Sequence, residues 1–384
     1  MVHDASHDIA IIGAGPLGLS IALALARRGH SPRLFDARPA EAVNTDNRIL
    51  ALSQGSRELL ELLGAWPAAH ATPIRRIQIS QQGHFGQTHI DATEQGLPAL
   101  GYVLPARQLA AALLARVHAA GIPLEYDSNI TDTHADADGA TLAIRNAAGA
   151  QRSADARLIV CCEGRIPDAQ ATLSRDYDQH ALLCRVTPAA PHANLAHERF
   201  TTDGPIALLP FGSDYAVVWT VPSTRADALM TAPDAEWIDA LQAAIGPQII
   251  LGNIQDRARH ALGLRMRREA TGPRCVWLGN AAQTLHPVAG QGFNLALRDV
   301  WELADTLTGA PDPGTPELLA AYARSRQLDR RSAARFTDLL VRGFSNDQPL
   351  LAGLRGLGLL ALETLPPLRQ FVAKRMIYGA RAWP

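Results

Sequence analysis

The residues of this sequence that are best suited to chemistry lie in two glycine-rich segments. The first, Gly13-Ala14-Gly15-Pro16-Leu17-Gly18, follows a short apolar run, Ile9 to Ile12, and precedes a helical pattern. In a G-x-G-x-x-G turn the first glycine permits the tight turn, the second lets the backbone approach a pyrophosphate, and the third lets helix and strand pack closely. The N–H groups at the helix N-terminus then face the anion. This segment therefore predicts a strand, a turn and a helix that bind a dinucleotide.

An acidic residue after the next predicted strand supports this interpretation. Asp36 follows the strand Pro32 to Phe35, roughly 20 residues beyond the glycines, where such a carboxylate accepts hydrogen bonds from ribose hydroxyls. A carboxylate at this position repels a 2′-phosphate, so it favours an unphosphorylated ribose. NAD and FAD both satisfy that condition, and the local sequence does not choose between them.

The second segment runs from Cys275 to Asp299. Its pattern predicts an apolar strand, a turn of small residues, a proline and then a helix that begins near Asn294. Gly290 and Gly292 free backbone N–H groups at the helix start, where they suit a polarised carbonyl or an anionic ring. Since about 270 residues separate the two segments, they fit an elongated cofactor that is held at both ends.

The composition excludes several other classes of protein. With 384 residues, 47% of them hydrophobic, the chain can form two or three domains with full cores. Its 36 basic and 37 acidic residues give a net charge of −1, which argues against a nucleic-acid-binding protein. Lys374 is the only lysine. A P-loop, a pyridoxal phosphate Schiff base and a protein-kinase site each need a lysine inside the fold, so these three are excluded.

The cysteines and the N-terminal residues indicate a cytoplasmic protein without a metal site. No C-x-x-C pair occurs among the four cysteines, which are Cys161, Cys162, Cys184 and Cys275. Neither zinc binding nor a disulfide framework is therefore predicted. The N-terminal segment contains Asp4 and Asp8 but no basic stretch, which argues against a secretory signal peptide.

The second segment resembles the G-D-(x)n-P-x-x-G-Q-G-x-N element of the flavin-dependent aromatic hydroxylases, the class A monooxygenases with the para-hydroxybenzoate hydroxylase fold. Its stretch Gly-Asn-Ala-Ala-Gln-Thr-Leu-His-Pro, Gly279 to Pro287, is typical of the ubiquinone-biosynthesis hydroxylases and is most similar to the 2-octaprenyl-6-methoxyphenol hydroxylases. Asn280 replaces the wider family's aspartate, and Gln283 its histidine. Further similar segments occur along the chain, at Asp46 to Ser53, Gly83 to Gly86, His197 to Thr201 and Gly204 to Pro210.

This resemblance implies FAD as cofactor, NAD(P)H as electron donor and dioxygen as co-substrate. It implies that the ADP half of FAD is held by Gly13, Gly15, Gly18 and Asp36, and the ribityl or diphosphate region by Gly279 and Asn280. The residues that it implies against the isoalloxazine ring are Pro287, Gly290, Gln291, Gly292 and Asn294. Arg48 is expected near the flavin or its diphosphate, with a surface arginine as the alternative. Arg107 is expected to contact the flavin, although its register is shifted by one from the relatives' arginine.

One motif of the family is altered in this chain. Relatives carry Ala-Asp-Gly after a strand and a serine downstream, and their aspartate is associated with the flavin diphosphate and with use of the nicotinamide cofactor. Here the apolar strand is followed by Glu163 and Gly164, with Pro167 near the serine position. The carboxylate of Glu163 can still accept hydrogen bonds, so Glu163 is expected to bind the cofactor. The change leaves the position of the reductant open.

The activity that the resemblance implies is hydroxylation of the aromatic ring of a polyprenyl phenol, of the 2-polyprenyl-6-methoxyphenol class, in ubiquinone biosynthesis through a flavin C4a-hydroperoxide. The protein would exclude water and place the ring carbon against the transferred oxygen. His286 is the only titratable side chain within the flavin-facing motif. It is the candidate catalytic residue, with a structural role as the alternative. Two other functions stay open: a polyprenyl reductase of the same superfamily, and an FAD-binding scaffold subunit of the ubiquinone biosynthetic complex.

The predicted fold class is α/β. It comprises a Rossmann-like FAD-binding domain of the para-hydroxybenzoate hydroxylase fold, a substrate domain with an antiparallel sheet, and a C-terminal helical tail. The FAD-binding domain is expected to comprise residues 1–76, 101–176 and 263–310, and the substrate domain residues 77–100 and 177–262. A proline-rich linker, Pro311 to Pro316, opens the helical region of residues 311–384.

The net charge hides a division between the body and the tail. Residues 320–384 carry ten arginines and Lys374 against four acidic residues, a net charge of +7, whereas residues 1–319 carry −8. The apolar run Leu350 to Leu362 is interrupted by Arg355 and three glycines, so it is too short and too polar to cross a membrane. It is expected either to cap the FAD-binding domain or to lie, with the arginines, on a membrane surface or a partner protein.

Overall fold

The computed structural model describes residues 7–83, 85–164, 166–285, 291–344 and 349–379. The strands are β1 (Ile9–Ile12), β2 (Pro32–Phe35), β3 (Ile49–Ser53), β4 (Thr72–Ile74), β5 (Arg76–Gln81), β6 (Gln87–Asp91), β7 (Gly101–Pro105), β8 (Leu124–Glu125), β9 (Ser128–Ala135), β10 (Ala140–Asn146), β11 (Gln151–Ala156), β12 (Leu158–Cys161), β13 (Ala171–Pro188), β14 (Leu195–Phe200), β15 (Pro205–Phe211), β16 (Asp214–Pro222), β17 (Leu251–Arg267), β18 (Thr271–Gly272), β19 (Cys275–Trp277) and β20 (Gln283–Thr284). The α-helices are α1 (Pro16–Ala26), α2 (Gln54–Leu62), α3 (Ala106–Ala119), α4 (Ser223–Thr231), α5 (Asp234–Ile245), α6 (Gln291–Thr306), α7 (Pro316–Phe344), α8 (Pro349–Thr364) and α9 (Pro366–Tyr378).

A six-stranded sheet in the order β18-β19-β12-β1-β2-β8 forms the base of the cofactor half. All pairs except β18–β19 are parallel. Every residue of β1 is buried, because helices including α1, α3 and α6 cover one face and the small sheet β11-β10-β9 covers the other. Burial on both faces explains why β1 is a continuous apolar run and does not alternate with polar residues.

The second large sheet has eight strands in the order β20-β17-β13-β16-β15-β14-β5-β6. On one face α4 and α5 pack around Trp219 and Trp237, whose rings meet edge to face with centroids 5.4 Å apart. The other face rests on the three-stranded sheet β3-β7-β4 through Ala196, Leu209 and Val103. The contact between these two sheets joins the halves of the molecule.

The predicted α/β fold class with a second sheet and a helical tail is confirmed, with one difference. The sheet predicted to be antiparallel contains a parallel pair, β14 and β5, which are far apart in sequence. The division into domains stays a prediction. The long strands β13 and β17 run across the predicted boundaries at residues 176/177 and 262/263.

The tail helices pack on both halves of the protein. α7 packs on α6, α8 on β6 and β5, and α9 on α2. The helix that contains the apolar run from Leu350 to Leu362 therefore covers the edge of the eight-stranded sheet, whereas the sequence analysis offered the FAD-binding domain as the surface that it caps. Within the described ranges, no helix combines the length and the apolar character needed to cross a membrane.

A buried polar network fixes α7 to α6. The Nε atom of Arg326 lies 2.5 Å from Oδ1 of Asp299, and its Nη2 atom lies 2.7 Å from Oδ2 of Asp329. Asp299 also accepts a hydrogen bond of 2.8 Å from Nε2 of Gln283, whose own Oε1 accepts one of 2.6 Å from Arg330. All five side chains are buried. The network therefore connects the tail to the glycine-rich motif that contains Gln283.

The ion pairs persist over a wide range of pH. Burial alone would raise the pKa of Asp329, but the neighbouring Arg298 and Arg326 lower it to about 2. The carboxylate therefore contributes stability above the ordinary aspartate pKa, and this contribution is lost only as the pH falls through about 2. Arg326 and Arg330 thus point inward, and Arg369 pairs with Glu94. From the sequence, all the tail arginines were expected to face a lipid surface or a partner protein. These three cations do not.

Candidate functional site

The carboxyl edge of the six-stranded sheet brings together four residues that the sequence analysis selected. Gly13 follows β1 and Asp36 follows β2, while Glu163 and Gly279 each lie two residues beyond β12 and β19. Because these four strands are parallel and adjacent, their carboxyl ends meet along one edge. In open α/β sheets this edge is where ligands bind.

The glycine turn has the geometry expected of a pyrophosphate cradle. Gly13 has φ +96°, and a Cβ atom at Gly18 would lie 1.8 Å from the carbonyl oxygen of Gly13, so both positions require glycine. Gly15 has φ −71° and ψ 176°, which any residue adopts, and a Cβ atom there would have no neighbour within 4 Å. The first N–H groups of α1 have no acceptor within the helix. The space beside Gly15 and these donors fit the diphosphate of FAD.

Asp36 holds the glycine turn in place. Its carboxylate is fully buried and accepts a hydrogen bond of 2.7 Å from the backbone N–H of Ala14. Arg38 donates three more, from its backbone N–H and its Nε to Oδ1, each at 2.9 Å, and from Nη2 to Oδ2 at 2.8 Å. Burial alone would raise the pKa of Asp36, but these hydrogen bonds outweigh it and lower the pKa. A ribose can reach this carboxylate only if the Arg38 guanidinium turns away.

Arg38 is a residue of the site that the sequence analysis missed. The hydrogen bonds from its guanidinium to Asp36 raise its pKa, burial offsets part of this, and the negative charges of Asp36, Glu163 and Asp46 raise it further. The spacing Asp36-x-Arg38 is repeated at Asp46-x-Arg48, and this repeat was the signal that could have found it.

The altered acid Glu163 lies directly on the glycine turn. A Cβ atom at Gly13 would lie 2.9 Å from Cβ of Glu163 and 3.0 Å from its Oε2. Burial raises the pKa of Glu163, and the negative charge of Asp36 raises it further, with a partial offset from Arg38.

The two predicted flavin-contacting arginines lie at one end of the sheet β3-β7-β4. Arg48 precedes β3, and its carbonyl oxygen accepts a hydrogen bond of 2.8 Å from the N–H of Ala106 at the start of α3. Its guanidinium pairs with Asp46, 2.6 Å from Nη2 to Oδ2, and is exposed. Arg107, also exposed, donates from Nη1 to Oδ1 of Asn47 at 3.3 Å. The structure therefore brings together two residues that are far apart in sequence.

The second glycine-rich segment is fixed to the first half by Asn294 and Gly279. The buried Asn294 side chain accepts from the N–H of Ser53 at 2.8 Å and from Oγ of Ser56 at 2.6 Å, and donates to the carbonyl of Ala51 at 3.1 Å. It ties α6 to β3 and α2. Gly279 has φ +57°, and a Cβ atom there would lie 2.5 Å from Cδ2 of Leu17.

Of the remaining residues predicted to bind the cofactor, some are described by the structure and others lie outside the described ranges. Asn280 and Gly292 are exposed, and a Cβ atom at Gly292 would have no neighbour within 4 Å. The predicted residues outside the described ranges are His286, Pro287 and Gly290, and the side chain of Gln291 also lies outside. All the individual contacts to the cofactor stay predictions.

The chain is similar to known proteins in both sequence and structure. The sequence matches the family described as "FAD binding domain" over residues 6–337. It is 31% identical over 394 residues to the ubiquinone hydroxylase UbiL of Rhodospirillum rubrum, covering 98% of this chain and 91% of that protein. It is also 31% identical over 389 residues to the 3-demethoxyubiquinol 3-hydroxylase of Escherichia coli, covering 96% and 97%. In structure it is similar to the p-nitrophenol 4-monooxygenase PnpA of Pseudomonas putida, with a TM-score of 0.77, 12% identity and coverage of 97% and 98%.

The two glycines of the cradle give a matched pair of variants. Gly15→Ala is expected to leave the apoprotein as stable as the wild type, because its Cβ meets no protein atom, but to weaken FAD binding about tenfold or more by occupying the approach to the pyrophosphate. Gly18→Ala is expected to destabilise the apoprotein itself, since helix and strand must separate. Thermal unfolding without FAD and fluorescence titration with FAD measure the two effects. Equal FAD affinity in Gly15→Ala and wild type would contradict this assignment of the cradle.

Proposed function

The chain belongs to the family of FAD-binding proteins that includes the ubiquinone hydroxylases, and we propose that it hydroxylates the aromatic ring of a polyprenyl phenol. The cofactor is FAD, the electron donor NAD(P)H and the co-substrate dioxygen. One ring C–H becomes C–OH, NAD(P)H gives up two electrons, and the second oxygen atom leaves as water. The observation that carries the proposal is the whole-length similarity to two ubiquinone hydroxylases, in a chain that retains the glycine cradle and its acid.

We assign different parts of the cofactor to different residues at the sheet edge. We assign the diphosphate to the turn around Gly15 and the first turn of α1, and the ribose to Asp36. We assign the flavin end to Arg48, Arg107 and the N-terminus of α6. Bound FAD would take electrons from NAD(P)H and activate dioxygen. The eight-stranded sheet, with residues 77–100 and 177–262 as substrate domain, would close over the ring and exclude water.

We infer the substrate class from the relatives. The ring carbon that is hydroxylated is a separate and finer assignment. The E. coli relative is named for hydroxylation at position 3 of 3-demethoxyubiquinol, and the R. rubrum relative as a ubiquinone hydroxylase. Both are 31% identical to this chain. We keep the 2-polyprenyl-6-methoxyphenol class as substrate, since its ring is an electron-rich phenol with an unsubstituted carbon to hydroxylate.

We further propose that α8 and α9 hold the protein against a membrane surface, where a polyprenyl phenol resides. Large apolar side chains on these helices and at the junction between them are 41 to 55% exposed, namely Leu357, Leu360, Leu365, Leu368 and Phe371. A cleft of about 690 Å³ between α2, α6 and α9 opens beside them, and Leu62 and Trp301 are among its lining residues. Exposed apolar side chains near a basic segment are typical of interfacial helices. They support this proposal better than the tail arginines do, three of which are engaged within the protein.

Labelled dioxygen tests the reaction itself. Addition of 2-methoxy-6-(3-methylbut-2-enyl)phenol to the FAD-loaded protein is expected to accelerate NAD(P)H oxidation and to give a ring-hydroxylated product with one ¹⁸O atom from ¹⁸O₂, seen by mass spectrometry. The Gly15→Ala variant at low FAD concentration serves as the control. Rapid NAD(P)H oxidation with hydrogen peroxide as the sole product would contradict the proposal. Reduction of the prenyl double bond without oxygen uptake would instead favour a reductase.

Vesicle binding tests the membrane contact. Wild-type protein is expected to co-sediment with vesicles of phosphatidylethanolamine and phosphatidylglycerol, and a triple variant with Leu365, Leu368 and Phe371 changed to serine is expected to remain in the supernatant. Leu328→Ser is the matched control, because Leu328 is 64% exposed on α7, on a different helix. Equal co-sedimentation of the triple variant and the wild type would refute this surface.

A further inference from the structure

Glu198 is the acidic residue on a face of β14 whose other side chains, Ala196 and Phe200, are apolar. Side chains alternate along β14, so Ala196, Glu198 and Phe200 share one face of the eight-stranded sheet. His197 and Arg199 point to the opposite face, where Arg199 donates a hydrogen bond of 3.1 Å to the carbonyl of Ala244 in α5. The face that carries Glu198 is therefore the one turned toward the cofactor half.

The neighbours of Glu198 across the sheet are apolar. The register pairs it with Ile79 on β5 and with Ala207 on β15, and Ala207 is in turn paired with Val218 on β16. On the same face Ala196 packs against Val103 of β7, in the sheet that is flanked by Arg48 and Arg107. Glu198 lies two residues further along β14, about 7 Å beyond that contact. It thus lies at the border between the two halves, where the proposed function requires the substrate ring.

The charges around Glu198 do not explain its presence. Within the described ranges no hydrogen bond or ion pair of its carboxyl is found. The strands β3, β7 and β4 present Ile49, Val103 and Ile74 toward this face, and α9 packs Ala373 and Ile377 in the same apolar cluster as Ile79, the neighbour of Glu198 on β5. A charged residue on the same face, Arg185 on β13, is three strands away and pairs with Asp256. Burial raises the pKa of Glu198 to about 8, without an opposing charge. A partly buried acid without a partner is costly to folding, and a ligand that uses it would account for it.

We propose that Glu198 is a catalytic residue that accepts the proton of the substrate's phenolic hydroxyl, an inference that rests on the proposed function. The substrate O–H bond breaks, the proton forms an O–H bond with the carboxylate, and the electron pair stays on the phenolic oxygen. The added electron density makes the ring carbon a better nucleophile toward the oxygen that dioxygen supplies. When the ring C–H proton has left to solvent and the ring is aromatic again, the proton on Glu198 can return to the phenolic oxygen.

Glu198, in its apolar surroundings, suits this role better than a glutamate on the surface would. A carboxylate with a usual pKa is a weak base toward a phenol, whereas a proton acceptor is most effective when its pKa lies near the working pH. The ionised fraction of Glu198 rises as the pH passes through about 8. The hydroxylation rate of the wild type is therefore expected to rise over the same range.

Glu198→Gln tests the assignment, with Glu236→Gln as the matched control because Glu236 is exposed on α5. With 2-methoxy-6-(3-methylbut-2-enyl)phenol, Glu198→Gln is expected to lower kcat for hydroxylation about 100-fold or more and to remove the rise near pH 8, while KM changes little. Substrate-stimulated NAD(P)H oxidation should continue, with hydrogen peroxide as product. With a ring-fluorinated analogue, whose phenol is more acidic and needs a base less, the difference in kcat between variant and wild type should be smaller.

Stability without cofactor gives a second readout. Burial raises the pKa of Glu198 from its ordinary value of 4.5 to about 8, so between these values the folded state keeps a proton that the unfolded chain releases. The stability of the wild type therefore falls as the pH rises from about 4.5 to about 8 and changes no further above that. Glutamine has no such loss. The melting temperature of Glu198→Gln relative to wild type is therefore expected to increase from pH 5 to pH 9, and that of Glu236→Gln to stay constant.

The possible outcomes separate the two proposals. If the wild type hydroxylates the analogue and Glu198→Gln does so at the same rate and with the same pH profile, Glu198 is not the proton acceptor although the proposed function stands. If the wild type hydroxylates no phenol, the proposed function fails. Should the variant not fold, the wild-type profile decides, because a hydroxylation rate that is flat from pH 6 to pH 9 overturns the role of Glu198.

Discussion

The backbone of α1 meets the end of β1 so closely that the space for a Cβ at Gly18 is filled by the carbonyl oxygen of Gly13, at 1.8 Å. This approach aims the first turn of α1 along the carboxyl edge of the parallel sheet. Asp36 then anchors the turn through the N–H of Ala14, and Glu163 and Gly279 reach the same edge from neighbouring strands. The cofactor site depends on this one contact, because each of the other residues is placed relative to it.

The cofactor site also depends on the C-terminal part of the chain, through the buried network around Arg326. Removing one partner of a buried ion pair typically costs about 3–5 kcal/mol, because it leaves the other charge without compensation. Gln283, in the motif next to the flavin end of the site, shares this network with Asp299 and Arg330. The match to the FAD-binding family ends at residue 337, within α7. The first half of α7 is thus part of the cofactor-binding half, and the exposed apolar surface lies on α8 and α9.

The sequence predicted the parts of the site that belong to local patterns. A strand, a glycine turn and a following acid are contiguous, so Gly13, Gly18 and Asp36 could be found by spacing. Arg38 lies two residues from its partner Asp36, so the same spacing could have found it. Gln283 with Arg330, and Glu198, could not be assigned, because their partners or surroundings come from distant segments or neighbouring strands and become adjacent only on folding. For the same reason, composition made the tail arginines look like a surface for lipid, although burial of Arg326 and Arg330 is a tertiary effect.

The central claim is that this chain hydroxylates a polyprenyl phenol on the route to ubiquinone, and quinone profiling of a strain that lacks it is the most direct measurement. The account predicts loss of ubiquinone and accumulation of a polyprenyl phenol or quinone that lacks one ring oxygen, with recovery when the wild-type chain is restored. The position of the missing oxygen would identify the hydroxylated carbon. An unchanged quinone profile, in a strain without a second such hydroxylase, would contradict the claim.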